Sequence, residues 1–169
     1  INGLDDKEIC AYHIGFIIGP CLNASGRLDT AKRALKMLLS KDKYEAERLA
    51  GDLVSLNEER KSLTAAAAIL AEKIVDENYT DDTVLVIYLP DCHESIAGIV
   101  AGRIREKYYK PVIVLTKGED GVKGSARSIE SYNIFEKLCE CSHLLTKFGG
   151  HPLAAGMSLK EDNIEELRK

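Results

Sequence analysis

Two short segments of the 169-residue chain combine glycine with side chains that bind phosphate. The first is Gly-Ser-Ala-Arg-Ser at 124–128, and the second is Phe-Gly-Gly-His-Pro-Leu-Ala-Ala-Gly at 148–156. Serine offers a hydroxyl, arginine a planar fork of donors, and histidine a donor that can become charged. Glycine lets the backbone approach a ligand closely. Together, these residue types predict an anion-binding site within residues 121–156.

Ser125 and Arg127 stand two residues apart on a predicted strand, so their side chains point to the same face. A hydroxyl beside a guanidinium predicts a binding site for one phosphate, and Ser128 adds a second hydroxyl. A strand end with a surface arginine explains the same residues, and the segment alone does not decide between the two interpretations.

The segment Gly149-Gly150-His151 is predicted to be a turn whose backbone N–H groups cradle an anion. His151 can donate to a phosphate there, which would stabilise its charged form. Small residues follow it and favour a close approach by a ligand or by a neighbouring strand. The structural alternative is an ordinary glycine turn beside a structural histidine.

Two further residues are candidates for ligand contact. His93 begins a predicted helix in a loop above the predicted sheet, where it is able to face the ligand. Arg27 ends the segment Asn-Ala-Ser-Gly-Arg at 23–27, whose turn-forming residues predict a second polar grip. Without further context, a helix–helix connection with an exposed arginine is the favoured interpretation of that segment.

The sequence predicts neither a metal site nor a catalytic residue in this chain. Structural zinc sites favour two to four residues between paired cysteines, whereas Cys139 and Cys141 are separated by one residue. A hydrolytic metal site needs several carboxylates, or carboxylates and histidines, that converge on the ions. The chain shows no such cluster, so a nuclease built on it would hold its metal ions elsewhere.

Composition indicates a folded, cytoplasmic protein. The chain is 45% hydrophobic and has a net charge of −4, which argues against a surface that coats nucleic acid broadly but not against a local basic groove. The five cysteines, an odd number, are consistent with reduced thiols. Its apolar runs are too short to span a bilayer, so no membrane association is expected. The first residue is Ile1 rather than methionine, which suggests a fragment.

Residues 1–41 are predicted to form helical pieces broken by a loop. Asp5-Asp6 is expected to cap the first helix, Gly19-Pro20 to interrupt it, and residues 23–26 to form a turn. Asp29 or Thr30 is expected to cap a second helix, whose predicted apolar face consists of Ala31, Ala34, Leu35 and Leu38.

Residues 42–80 are predicted to be a long connecting helix. Positions 42–78 contain no proline and one glycine, and apolar residues recur at spacings of four and three. One helix or two in tandem, or a coiled coil, would satisfy this pattern, and a strut between two domains is the favoured role. The predicted buried seam consists of Leu49, Leu53, Leu56, Leu63, Ala67, Leu70 and Ile74, with Arg60 at one position.

Residues 81–169 predict an α/β domain with a mixed sheet flanked by helices. Strands are expected at 83–88 and 111–115, joined by a helix at 96–108, as a parallel pair. A hairpin at Gly118–Gly121 should lead into a strand at 122–128. The remaining predicted elements are a helix from Asn133, a strand at 155–159 and a helix from Asn163.

Taken together, these segments resemble the DHHA1 domain, and more fully the RecJ family of single-stranded-DNA-specific exonucleases. Three segments extend the resemblance to RecJ: Ile18–Leu28, His93–Ala101 and Tyr109–Leu115. The glycine–histidine segment is shared across the wider phosphoesterase superfamily, whereas the segment at 18–28 joined to a long helix is more specific to RecJ. The chain has Ser95-Ile-Ala-Gly after the His-Glu pair, where the family often has Gly-Val-Ile-Gly.

The resemblance implies that residues 1–41 end a DHH domain, that residues 42–80 connect, and that residues 81–169 form the DHHA1 domain. The family's DHH domain binds two divalent ions, Mn²⁺ or Mg²⁺, which activate water for in-line attack on a phosphodiester. That domain is not in this chain. The chain by itself is therefore expected to be inactive and to bind neither ion.

The resemblance also implies roles for residues. Ser125, Arg127, Ser128 and the Gly149-Gly150-His151 segment would hold the terminal phosphate and its sugar, which helps set 5′-to-3′ polarity. Arg27 would line the channel that admits a single DNA strand, and His93 would face the ligand. The implied partners are single-stranded DNA, a single-stranded-DNA-binding protein and a helicase, in DNA recombination and repair.

Two other functions fit the same segments. A related oligoribonuclease or nucleotide phosphatase would share the glycine–histidine segment and prefer dinucleotides or small phosphorylated nucleotides. An RNA-binding DHHA1 appendage of alanyl-tRNA synthetase would bind RNA and perform no chemistry.

Overall fold

The computed structural model describes residues 3–4 and 7–169. It divides into two compact units, Ile1–Leu63 and Thr64–Lys169, with the boundary inside one long helix. The predicted cap at Asp5-Asp6 lies outside the described residues. None of the described helices has both the length and the hydrophobicity needed to cross a membrane.

The N-terminal unit begins with α1 (Ala11–His13), a π-helical segment (Ile14–Ile18) and α2 (Gly19–Leu28). The predicted interruption at Gly19-Pro20 and the predicted turn at 23–26 are therefore wrong. Pro20 occupies the first turn of α2, where a helix tolerates its missing N–H. Residues 23–26 continue this helix although they favour turns, because two of them, Ala24 and Ser25, are fully buried and packing overrides propensity.

The next helix, α3 (Ala31–Leu39), has the predicted cap, since the Thr30 hydroxyl accepts a hydrogen bond from the Lys32 N–H at 3.3 Å. Its predicted apolar face is only partly correct. Ala34 packs in a small core, whereas Leu35 and Leu38 are exposed.

Residues 42–78 form one helix, as predicted: α4 spans Lys43–Asn78. The predicted seam is correct at Leu49 and Leu53 and wrong at Leu63 and Leu70, which are exposed. The buried stripe is displaced by one residue in the second half of the helix, where small side chains allow close packing. Its members are Leu49, Leu53, Asn57, Thr64, Ala68, Ala71 and Val75.

The C-terminal unit contains a five-stranded mixed sheet in the order β1-β2-β3-β5-β4. The strands are β1 (Leu85–Tyr88), β2 (Val112–Gly118), β3 (Gly121–Arg127), β4 (Leu145–His151) and β5 (Ala154–Leu159). Strands β1 and β2 are parallel and are joined through α5 (Glu94–Tyr108), while the other pairs are antiparallel. The predicted α/β class, the parallel pair and the β2–β3 hairpin are confirmed.

The prediction of a turn at Gly149-Gly150-His151 is wrong. These residues end the edge strand β4, and the turn that joins β4 to β5 is Pro152-Leu153. Glycine is depleted in strands, so the sequence of β4 carries a weak strand signal. Its pairing with β5 supplies the backbone hydrogen bonds that hold it in the sheet.

Helices cover the two faces of the sheet unequally. On one face, α5 and the C-terminal part of α4 pack on β1 and β2 around Val112 and Val114. On the other face, α6 (Ile134–Glu140) and α7 (Ile164–Arg168) pack on strand residues that include Met157 and Leu159. The predicted helix start is confirmed, since the Asn133 side chain caps α6. Short 3₁₀ turns at Ser142–Leu144 and Glu161–Asn163 precede β4 and α7.

Candidate nucleic-acid interface

The α5 side of strands β3, β5 and β4 forms a surface that we call the open face. Directly paired residues of antiparallel strands share one face of a sheet, so the register places three cross-strand rows on it. The rows are Arg127–Ala154–His151, Ser125–Gly156–Gly149 and Lys123–Ser158–Lys147.

The outer strands of the open face, β5 and β4, are uncovered because α5 packs on β2 and β3. Lys147, Gly149, His151 and Gly156 are all exposed. The nine positions of the face hold three Lys or Arg residues, no Asp or Glu, and no Phe, Tyr or Trp. The surface is thus positively charged and lined by small residues.

Ser125 and Arg127 lie side by side, as predicted from their spacing. The Nη1 of Arg127 donates to the Ser125 Oγ at 3.4 Å and to the Ala126 carbonyl at 2.7 Å. Gly98 of α5 lies directly against both side chains. A Cβ at this position would stand 2.7 Å from the Ser125 Oγ and 2.9 Å from the Arg127 Nη2. The glycine therefore leaves the space that these two side chains occupy.

The glycines of this region divide into two groups. A Cβ at Gly149 or Gly156 would meet no heavy atom within 4 Å, and neither has a positive φ. By contrast, a Cβ at Gly150 would lie 2.4 Å from the Ala154 carbonyl oxygen, and one at Gly124 would lie 2.7 Å from Leu115 and Met157 side chains. Internal packing thus explains Gly150 and Gly124 but gives no reason for glycine at 149 and 156.

His151 lies at the end of β4, in the row of Arg127. Its Nδ1 accepts a hydrogen bond from the Leu153 N–H at 3.3 Å, so the neutral ring carries its proton on Nε2. The hairpin turn beside it is held by backbone bonds from Ser128 to Leu153 at 2.9 Å and from Ile134 to Pro152 at 3.1 Å. His151 is exposed on a well-anchored turn and has a donor available for a ligand.

The structure does not bring two of the predicted contact residues to the open face. Ser128 is buried, and its hydroxyl donates to the Tyr132 carbonyl at 2.7 Å. Gly150 alternates to the opposite side of β4 from Gly149 and His151. Ser128 therefore stabilises the loop before α6, and Gly150 allows β4 and β5 to pack.

His93 lies at the other end of the open face. It is the N-cap of α5, with its Nδ1 accepting from the Ser95 N–H at 3.3 Å and lying 2.7 Å from the Ser95 Oγ. It lines a pocket that it shares with Lys117 and Lys123. Acidic residues line the same pocket: Glu94, Glu119 and Asp120.

The region of the sheet and its helices matches a known family. A family model described as the DHHA1 domain matches residues 81–169, more than half of the chain. The chain belongs to the DHHA1 domain family. The open face therefore lies on the sheet of a DHHA1 domain.

Relatives of the chain extend the comparison beyond the DHHA1 domain. The chain is 40% identical over 170 residues to the single-stranded-DNA-specific exonuclease RecJ of Bacillus subtilis, covering 99% of the chain and 22% of that protein. A crystal structure of RecJ in complex with Mg²⁺ from Thermus thermophilus is 34% identical, with a TM-score of 0.81 over 91% of this chain and 24% of that one. A crystal structure of exonuclease RecJ bound to manganese has the same identity and TM-score over 93% and 39%. The chain thus spans between about a fifth and two fifths of these relatives.

Arg27 lies outside the DHHA1 match. It is exposed near the end of α2 in the N-terminal unit, so the C-terminal unit alone does not contain the complete set of predicted contact residues.

Among residues 3–4 and 7–169, no group of three or more His, Cys, Asp or Glu side chains is arranged to hold a metal ion. The five cysteines all lie in the described part of the chain and form no disulfide, and burial raises the pKa of the Cys92 thiol.

Sequence reasoning missed three contributors to the open face of the DHHA1 domain. Gly98 was recognised only as part of a family segment, and its role depends on where α5 crosses β3. Lys123 and Lys147 share a row only because β3 and β4 both pair with β5. The alternating pattern of β3 is visible in the sequence, but the pairing register is a long-range property.

Proposed function

We propose that this chain is the substrate-holding DHHA1 part of a RecJ-type 5′-to-3′ single-stranded-DNA exonuclease. Its open face would bind the terminal phosphate and nucleotide of the strand. The observation that carries this proposal is the arrangement of Arg127 with Ser125, and of His151 on the other side of β5, around glycines that no internal contact requires.

The chemistry of the face suits a phosphate. The guanidinium of Arg127 offers several donors in a plane, and the Ser125 hydroxyl adjoins it. The nine positions of the face include no Phe, Tyr or Trp, so the ring of His151 is their one aromatic surface on which a base could stack. Contacts to phosphate and sugar position a strand without reading its sequence. A sequence-independent grip on the backbone is what an exonuclease requires.

A preference for the strand terminus follows from charge. A terminal phosphate monoester carries a charge of about −1.5 to −2 at pH 7, because its second pKa is about 6. An internal phosphodiester carries one negative charge. A cluster of donors around Arg127 and His151 therefore favours a phosphorylated 5′ end over an internal linkage.

The hydrolytic chemistry would belong to another part of a longer protein. The described residues do not fit a metal centre, since no cluster of three suitable ligands occurs among them. The structures of RecJ relatives with Mg²⁺ and with manganese support divalent metal binding by the intact enzyme, and we assign two such ions to a DHH domain. This chain would bind and orient the strand for that domain, and Arg27 would contribute from the N-terminal unit.

The proposal extends to cellular context. We place the intact protein in the cytoplasm, in DNA recombination and repair, with a single-stranded-DNA-binding protein and a helicase as partners. The names of the relatives support single-stranded DNA as the substrate, and described cysteines that form no disulfide are consistent with a reducing compartment.

The Arg127→Ala substitution tests the proposal. A 3′-labelled oligothymidylate is compared with and without a 5′ phosphate, using fluorescence anisotropy on the chain. Hydrogen bonds to charged groups contribute about 1.5–3 kcal/mol, so the substitution should weaken binding of the phosphorylated strand by about tenfold to a hundredfold. The 5′-hydroxyl strand should lose less.

The matched control is Lys137→Ala, which removes the same charge from α6 on the opposite face of the sheet. Its effect should be small for both oligonucleotides. If Arg127→Ala leaves the affinity for the phosphorylated strand unchanged, or weakens both strands equally, Arg127 does not hold the terminal phosphate.

A further inference from the structure

We propose that the row Lys123–Ser158–Lys147, which we call the lysine row, is a second phosphate subsite. It would take a phosphodiester further along the strand than the phosphate held by Arg127. This inference rests on the proposed function, because it assumes that the terminal phosphate lies at the Arg127 end of the open face.

A β-bulge turns Lys147 onto the open face. Leu145 pairs with Leu159 and packs in the core on the α6 side, so regular alternation would direct residue 147 to the same side. The register shifts between Leu145 and Lys147, which places Lys147 opposite Ser158 instead. Bulges commonly re-aim a side chain near a functional site. Here the bulge turns a lysine away from the core and into a row with Lys123.

The two lysines lack the carboxylate partners that are common elsewhere in the chain. Several lysines on the helices form ion pairs, as Lys107 does with Glu72 and Lys137 with Glu140. For Lys123 and Lys147, the described part of the structure records no ion pair, and both are exposed. Two cations on one strand row, neither held in a recorded ion pair, are suited to an external anion.

The spacing of the rows suits an extended anion. Arg127 and Lys123 are four positions apart on β3, which corresponds to about 13–14 Å at about 3.4 Å per residue. The small residues of the middle row, Ser125, Gly156 and Gly149, lie between. A single nucleotide phosphate cannot contact both ends at once, whereas a strand lying along β5 can.

The strand would follow the sheet rather than enter the pocket beside it. The Lys123 stem rests on Gly118, and Lys123 is among the residues that line the pocket containing Glu94, Glu119 and Asp120. Three carboxylates make that pocket a poor place for a phosphate. The open face carries none, so we assign the phosphodiester to the side of Lys123 that adjoins Ser158.

The test compares a ligand with one phosphate and a ligand with several. The chain carrying Lys123→Gln and Lys147→Gln is titrated with thymidine 5′-monophosphate by NMR and with 5′-phosphorylated tetrathymidylate by fluorescence anisotropy. The control is Lys137→Gln on the opposite face. The double variant should bind the tetranucleotide about three- to tenfold more weakly. The slope of log K against log salt concentration should fall by about 0.7, because one phosphate contact is lost.

Binding of thymidine monophosphate should be unchanged in the double variant. Unchanged tetranucleotide affinity would overturn the subsite. Equal weakening of both ligands would also overturn it, because the lysines would then act through the general field of the face. The companion variant Arg127→Ala separates this inference from the proposed function. If that variant binds thymidine monophosphate as the wild type does, the terminal-phosphate assignment fails instead.

Discussion

Alanine at Gly156 should separate ligand binding from folding. Gly156 and its cross-strand partner Gly149 lie in the middle row of the open face. A Cβ at either position would meet no heavy atom within 4 Å, and both residues have ordinary strand φ values. The substitution therefore changes only the space directly above the sheet.

The expected magnitudes have opposite signs for folding and binding. Glycine in a strand costs about 0.5–1 kcal/mol relative to alanine, so Gly156→Ala should leave the free energy of unfolding unchanged or raise it by up to that amount. A ligand that lies on the glycine would instead meet an added methyl group. Overpacking of this kind costs about 1–3 kcal/mol, which corresponds to roughly a five- to hundredfold higher Kd.

The assay combines thermal unfolding followed by circular dichroism with anisotropy of a 3′-labelled, 5′-phosphorylated oligothymidylate. Gly150→Ala is the control from the same strand. Its Cβ would stand 2.4 Å from the Ala154 carbonyl oxygen and 2.6 Å from the Ala155 Cα, so it should destabilise the fold. Gly156→Ala and Gly149→Ala should retain or raise the melting temperature and lose affinity.

Two results would refute this reasoning. Wild-type affinity in both Gly156→Ala and Gly149→Ala would show that the strand does not lie on the middle row. A loss of stability in these variants comparable to that of Gly150→Ala would show that the space above the glycines is filled by the protein itself.

Two further predictions concern the surroundings of the open face. Gly98→Ala should weaken binding of 5′-phosphorylated strands without removing a charge, because its Cβ would displace the Ser125 hydroxyl and the Arg127 guanidinium. The control is Gly102→Ala on the same helix, whose Cβ would meet no heavy atom within 4 Å. Equal affinities for the two variants would contradict the expectation. Cys92 should react with iodoacetamide much more slowly than the exposed Cys139 at neutral pH, because burial shields the Cys92 thiol and raises its pKa. Mass spectrometry of a time course measures the two alkylation rates, and equal rates would contradict the burial of Cys92.

The elements with strong periodicity were predictable from the sequence. The apolar run before Tyr88 and the run after Pro111 are both buried strands, and the helix between them makes them parallel. The uninterrupted pattern of residues 42–78 indicated one long helix or two in tandem, and the structure has one. Its buried face was only partly predictable, because small residues such as Ala68 and Ala71 pack closely and displace the more hydrophobic Leu70 to the surface.

The elements with weak local signals were not predictable. Gly149 and Gly150 are adjacent and read as a turn, yet they belong to a strand whose existence depends on pairing with β5. Similarly, Asn23 and Gly26 favour turns but continue α2, because the packing of that helix outweighs their local preference. In both places the deciding interaction is distant in sequence, so a local pattern could not reveal it.

The candidate site was predictable in its residue types and only partly in its geometry. The spacing of Ser125 and Arg127 was enough to place them on one face, because strand periodicity is two. The same rule places Gly149 and Gly150 on opposite sides of the sheet, but it applies only once β4 is known to be a strand. Ser128 differs from Arg127 in its surroundings because β3 ends at Arg127. Correct motifs therefore included two residues that serve packing.

Net charge is a poor guide to what such a surface binds. The chain carries −4 overall, and the open face carries Lys123, Arg127 and Lys147 without a carboxylate. At physiological ionic strength the Debye length is about 8 Å, so the potential at a phosphate on the sheet is dominated by groups on that face. Acidic residues on distant helices contribute little at that range. An acidic protein can therefore bind a polyanion through one face of a sheet. The salt dependence of that binding should then reflect only the few phosphate contacts on the open face.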